Sequence, residues 1–311
     1  MKKNMNNATH IEGFLYEHDL ALKESGPNSK NPGTQYISGT VSIATNNNKD
    51  NIVPVHFTYV TATTKQGKPN ATYGILSDII DGKLGSMMGG AGDNAAKLRV
   101  DSAIGLQEFF SDRNGQEEFV SVKRNEGGFV HTTNSLNDLE NNRNTFRVDM
   151  LITGVRHVEA DEERGLPEKA IIKGAIFNFR NDLLPVEFSA VHPGAISYFE
   201  SLEASSKNPV FTEVRGEQVS ETIIKTIEEK SAFGEASVRE VKNTRKDWVI
   251  TWAAEETYEW DSEETITAAE VQKAMADREV ALATMKKNQD EWKAKNSAGQ
   301  TAAPAKGGFN F

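Results

Sequence analysis

Runs of Val, Ile, Phe, Tyr and Thr that partly alternate with polar residues recur along the first half of the chain, at 10–22, 36–45, 52–63, 97–111 and 116–132. Half-apolar runs of this kind predict strands. Between the third and fourth, Ile75, Leu76, Ile79 and Ile80 follow Asn70-Ala71-Thr72-Tyr73 at helical spacing and predict one short helix. The second half repeats the order, with strands at 145–159, 168–179, 183–192, 209–220 and 236–253. Its helix is expected over 193–202, opening on Pro193 in the first turn, where a missing N–H costs nothing. The segment from Gly82 to Asn94, with glycines at 85, 89, 90 and 92, reads as a flexible loop.

One strand is present twice. Residues 52–60 read Ile-Val-Pro-Val-His-Phe-Thr-Tyr-Val and residues 183–191 read Leu-Leu-Pro-Val-Glu-Phe-Ser-Ala-Val, so Pro54/Pro185, Val55/Val186, Phe57/Phe188 and Val60/Val191 coincide. Recurrence of the whole strand and helix order predicts a duplicated domain of roughly 130 residues, larger than a solenoid unit. Five strands with a helix between the third and fourth is the order of an OB-fold, a small Greek-key barrel. The expected fold is therefore mainly β with α: two tandem OB-like five-stranded barrels over 8–134 and 144–254, a C-terminal helix over 265–295 and a disordered tail over 296–311. Phe57 and Phe188, at one position of both repeats, are expected in the cores. Phe109-Phe110, Asn114-Gly115 and Phe119 predict a long hairpin, because Asn-Gly favours a tight turn. A second hairpin is expected to fold 238–242 onto 245–249 across Asn243-Thr244.

The C-terminal segment opens with a capping box, Thr267-Ala268-Ala269-Glu270. Val271, Met275, Leu282 and Met285 share one face of the helix that follows, interrupted by Arg278 and Gln289. Two destinations are open to it, the chain's own second module or another subunit or partner. The tail is small and polar until Phe309-Asn310-Phe311, where Phe309 and Phe311 are expected to form a docking tip for replication or recombination proteins.

Charge narrows the function classes. The 311 residues carry a net charge of −10, which on its face disfavours nucleic acid. Residues 1–150 hold 15 Lys/Arg against 17 Asp/Glu, however, and 255–264 alone supply six acids, so local basic faces remain available. The chain has no cysteine, which removes disulfides and thiolate chemistry. No apolar run follows the N-terminal lysines, so no secretion signal is expected and a cytoplasmic location is. Six histidines show no metal-ligand spacing, and neither a P-loop nor a Gly-x-Ser-x-Gly elbow occurs. Gly90-Ala91-Gly92-Asp93-Asn94-Ala95 fits a dinucleotide pattern only formally, since a loop and not a buried strand precedes it. No catalytic group, metal or cofactor is expected.

Ile11-Glu12-Gly13, the run from Tyr36 to Thr45, that from Val53 to Val60, and Arg99-Val100 through the Phe110, Asn114-Gly115, Phe119 hairpin together resemble the bacterial single-stranded DNA-binding protein family. Lys123-Arg124-Asn125-Glu126-Gly127-Gly128-Phe129 is similar to runs in tandem-OB DNA-binding replication proteins of bacteriophages. The likeness is best over 10–132, and the acidic tail typical of the bacterial family is missing. It implies a non-catalytic, sequence-tolerant single-stranded DNA binder serving replication, recombination or repair, phage-encoded and working in a bacterial host cell. Such binding needs aromatic faces for bases and cations for phosphates. The candidate stackers are Phe14, Tyr16, Tyr59, Phe109, Phe110 and Phe119; the candidate phosphate contacts are Lys23, Lys30, Lys65, Lys68, Arg113, Lys123 and Arg124, placed in loops and at strand ends. The second module offers Arg239, Lys242, Arg245 and Lys246 beside Trp248. The competing reading is a structural or adaptor protein that uses the same barrels to grip another protein, its strand aromatics packed in cores and its cations on a solvated surface.

Overall fold

The strands pair into two closed circuits in the computed structural model, which describes residues 5–113, 116–162, 164–229, 237–260 and 265–299. The first comprises β1 (Asn7–His18), β3 (Gln35–Ala44), β4 (Ile52–Thr61), β5 (Lys97–Arg113) and β6 (Gln116–Thr132), with β2 (Ala21–Glu24) on the edge of β3. β1 runs antiparallel to β3 and β5, β3 to β4, and β5 to β6; a parallel contact of β4 with β6 closes the ring. The second uses β7 (Asn144–Val158), β8 (Lys169–Phe177), β9 (Leu183–Ala190), β10 (Val210–Glu229) and β11 (Ser237–Ala253) in the same way, with β9 parallel to β11. Helix α1 (Ala71–Ile80) follows the third strand of the first circuit and α2 (Pro193–Ser201) that of the second. This is the OB-fold topology twice over, reached from strand alternation and closure alone.

Each core is filled by the inward member of each alternating pair. In the first barrel Ile11, Val41, Val55, Phe57 and Val100 meet Leu76 and Ile79 of α1. In the second, Phe146, Met150, Ile172, Phe188 and Val214 meet Ile196 and Phe199 of α2. Phe57 and Phe188 are both buried, as their recurrence predicts. The strands cross so closely that a Cβ on Gly13 would lie 2.0 Å from the Ala44 carbonyl oxygen, and one on Gly174 2.0 Å from that of Leu151. Only glycine lets the first two strands of each barrel coil at this angle.

The two barrels share one continuous sheet. The N-terminal half of β1 pairs antiparallel with the N-terminal half of β7, from Asn7 opposite Val148 to Ile11 opposite Asn144. Polar side chains close the joint. Asn125 and Gln218 exchange buried amide hydrogen bonds at 2.8 and 3.0 Å. The Asn51 side chain donates to the Gln218 carbonyl (3.1 Å) and accepts from the Ser220 amide (2.7 Å), so a side chain of the first barrel satisfies backbone groups of the second.

Three elements differ from expectation. β10 continues past 220 to Glu229 and pairs with β11 from Ser237, Thr222 lying opposite Thr244. Residues 238–242 and 245–249 are thus one strand and not a hairpin, because the Thr-Ile-Ile-Lys-Thr-Ile run supplies β11 with a partner along its whole length. The glycine-rich segment forms a helical turn, Met87–Ala91, capped by the Ser86 hydroxyl accepting from the Gly89 amide. Helix α3 (Ala268–Gly299) does begin at the capping box, with the Glu270 amide donating to Thr267 Oγ1 and the Thr267 amide to Glu270. Its contact face matches expectation at Val271, with Leu282 and Met285 half-buried, but not at Met275. Val271 and Ala274 pack on Phe177, Leu183 and Phe211 of the second barrel, while Met275, a quarter turn away, is exposed. Arg278 and Gln289, expected to interrupt the face, carry it onto the first barrel. Arg278 forks onto Glu108 at 2.5 and 3.3 Å, and Gln289 accepts from the Phe110 amide and donates to its carbonyl. The helix therefore bridges both barrels.

Candidate functional site

Two clefts open along β4 and β6 of the first barrel. The larger, about 840 Å³, is lined by Thr58, Tyr59 and Thr61 of β4, Glu126 to Phe129 of β6, Thr63 and Thr64, and Phe179 and Arg180 from the second barrel. A bulge aims Phe129 into it. Phe129 stands opposite Asp101 but Glu126 opposite Ala103, so Gly127 and Gly128 together face Ser102 and β6 carries one extra residue; both glycines are at positive φ (68° and 115°). Val130 then returns to the core while Phe129 is 71 % exposed. Tyr59 is held by its neighbours, with the Tyr36 ring 4.5 Å away and Ser25 at its hydroxyl.

Phe179 comes from the turn between β8 and β9, and the Asn178 side chain braces that turn. The Asn178 carboxamide oxygen accepts from the amides of Arg180 (2.8 Å) and Asp182 (2.9 Å), and its nitrogen donates to the Asp182 carboxylate (2.9 Å). Asn181 sits at φ 63°, the left-handed region that asparagine tolerates. The turn holds Phe179 85 % exposed with the Arg180 guanidinium 5.1 Å from its ring. The two acids of the cleft are already engaged, Asp101 by His10 (2.7 Å) and Glu126 by Arg124 (2.9 Å).

The second cleft, about 530 Å³, lies between the barrels and begins where the first ends. Pro54 and His56 of β4, Gln107, Lys123 to Asn125 of β6, Lys169, Glu187, Lys246 and Trp248 line it. Four of these are lysine or arginine, against Glu187 and Asp247, and Asp247 is paired with Lys169 at 2.8 Å. Arg124 reaches Gln107 (3.3 Å) and Glu126, while its Nε is buried without a hydrogen-bond partner among the described residues. Burial, and then the Arg124 charge, lower the His56 pKa. Lys123 crosses the cleft: its ammonium donates to the Glu187 carbonyl and lies 4.0 Å from the Phe188 ring centroid and 5.0 Å from that of Trp248. Burial pulls its pKa down to about 7, with Asp247 and Glu187 opposing.

Among the sequence-predicted residues, Tyr59, Lys123, Arg124, Lys246 and Trp248 line these clefts. Lys65 and Lys68 are exposed in the loop that carries Thr63 and Thr64 to the larger one. Lys123 and Arg124 stand in the body of β6 and not in a loop, because β5 and β6 pair for their whole length beyond the barrel. Other residues are placed elsewhere. Phe14 is half-buried with Lys49 and Lys97 over its ring (4.9 and 5.7 Å); Tyr16 is half-buried, and Lys23 and Lys30 are exposed around β2. Phe109 and Phe119 are each 38 % exposed on the hairpin arm. Phe110 is covered, packed on Phe119 (5.2 Å) with Lys286 of α3 over its ring (5.1 Å). Arg245 lies on β11, half-buried, its charge beside Glu217. The side chains of Arg113, Arg239 and Lys242, the Asn114-Gly115 turn and the tail with Phe309 and Phe311 fall outside the described residues. Sequence reasoning missed Phe129, Phe179, Arg180 and Lys169. The signals were a phenylalanine after paired glycines and another inside an Asn-rich turn.

The profile of the YorF family matches residues 6–288. No curated protein sequence matches the chain. Among solved structures, the wild-type single-stranded DNA binding protein from Thermus aquaticus superposes with a TM-score of 0.44 at 10% identity, covering 83% of this chain and 96% of that one. A deletion mutant of the same protein gives a TM-score of 0.43 at 9% identity, covering 84% and 99%.

Proposed function

The chain belongs to the YorF family, and we propose that it is a non-catalytic protein that binds single-stranded DNA along β4 and β6 of the first barrel. One observation carries this reading. In a protein of net charge −10, a cleft with exposed aromatic faces adjoins a cleft in which lysine and arginine outnumber acids. Unpaired nucleotides present the complementary chemistry, flat apolar bases joined by anionic phosphates. A duplex hides its bases and offers the first cleft nothing to stack. The fitting role is the handling of exposed strands in replication, recombination or repair, in a phage-encoded setting inside a bacterial cell.

The test is fluorescence anisotropy of a labelled dT oligomer across a salt series. Binding that weakens linearly in log salt supports the reading. Absence of any shift at low salt overturns it and favours the adaptor reading, which the acidic surface around Glu255, Glu256 and Glu259 also suits.

A further inference from the structure

Resting on the function just proposed, we infer that the second barrel acts on DNA as the donor of a clamp: its Asn178–Asp182 turn presents Phe179 across the larger cleft, so that an unpaired base is held between Phe179 and Phe129. The two rings come from different barrels yet line one cleft with Tyr59. Both are far more exposed than a phenylalanine gains by being, at 85 % and 71 %. Neither exposure results from slack backbone. The glycine bulge fixes the direction of Phe129, and the Asn178 side chain ties down the turn through two amides and a carboxylate.

The chemistry around the rings selects the occupant. Arg180 lies beside Phe179 at the mouth, and Lys65 and Lys68 are exposed on the loop that supplies Thr63 and Thr64 to the wall. Threonine hydroxyls and the Asn70 carboxamide line the interior, and the Asp101 and Glu126 carboxylates are engaged by His10 and Arg124. A flat apolar face with a polar edge, attached to an anion that reaches the cationic rim, meets all of these groups. A nucleotide of a single strand has that shape and charge. The barrels that carry the two rings are joined by the ladder of β1 with β7.

The experiment measures dT-oligomer affinity by anisotropy for the full chain and for Phe179→Ala, Phe129→Ala and the double variant, with circular dichroism as the check on folding. Phe179 is so exposed that its truncation leaves the fold intact. Each single variant is expected to bind about tenfold or more weakly, and the double to lose less than the product of the two, because a base that has lost one face of its sandwich has less to lose from the other. Phe179→Trp should restore binding with fluorescence quenched by the oligomer, whereas Phe179→Leu should not restore it. Asn178→Ala, which frees the turn, should weaken binding without touching DNA. If Phe179→Ala binds as the wild type does, or Phe179→Leu restores affinity as well as tryptophan, the clamp is overturned and the function stands. If the wild type binds no oligomer, both fall.

Discussion

Lys123, carried by the first barrel, places its ammonium 4.0 Å from the centre of the Phe188 ring in the second and donates to the carbonyl of Glu187. The residue expected to grip phosphate therefore also fastens the barrels together.

That position makes stability depend on pH. The native pKa of Lys123 is about 7 against the ordinary 10.5, so between these values the unfolded chain binds a proton that the native one does not. Unfolding free energy then rises with pH across the window, with the protonation penalty complete below about pH 7 and absent above 10.5. Urea melts at pH 7, 8, 9 and 10 should show the wild type gaining on Lys123→Met as pH rises. A constant difference would contradict the placement.

Arg278 and Glu108 are both mostly buried where α3 meets β5. Arg278→Ala leaves a desolvated carboxylate without its fork and should cost about 3 kcal/mol. The loss should release the distal part of α3, read as faster amide exchange and proteolysis between 278 and 299 while the strand cores stay protected.

Phosphate contacts set the salt slope at roughly 0.7 per contact for single strands. Lys246→Ala, at an exposed position of the inter-barrel cleft, should reduce the slope by about that amount and weaken all sequences alike. Lys30→Ala, on the loop beyond β2, should leave the slope unchanged. Equal slopes for Lys246→Ala and wild type would place the strand elsewhere.

Gly13→Ala drives a methyl into the Ala44 carbonyl oxygen, and backbone cannot yield as a flexible side chain does. The variant should lose about 3 kcal/mol in denaturant melts. Gly26→Ala, with nothing within 4 Å of the added carbon, is the matching control.

The barrels were legible because strand alternation and the duplicated Pro-Val-x-Phe run are local signals that closure preserves. Phe57 and Phe188 could be assigned to cores from their recurrence alone. Phe129 could not be assigned, because its exposure depends on a bulge whose one extra residue flips the alternation, and Phe179 reads as one more strand-end aromatic until the other barrel lies beside it. The same non-locality hid the bridging role of α3. Hydrophobic periodicity favoured Met275, whereas the contacts to the first barrel are made by an arginine and a glutamine whose partners lie 170 and 179 positions away.

The ladder between β1 and β7 has a consequence for how a ligand is accommodated. Beads on a tether adjust to a polymer by swinging, and lose that freedom on capture. Here the swing has been surrendered during folding, so the entropy of aligning the halves is absent from the association step. A single strand bound as proposed would have to bend to a surface whose halves are already joined.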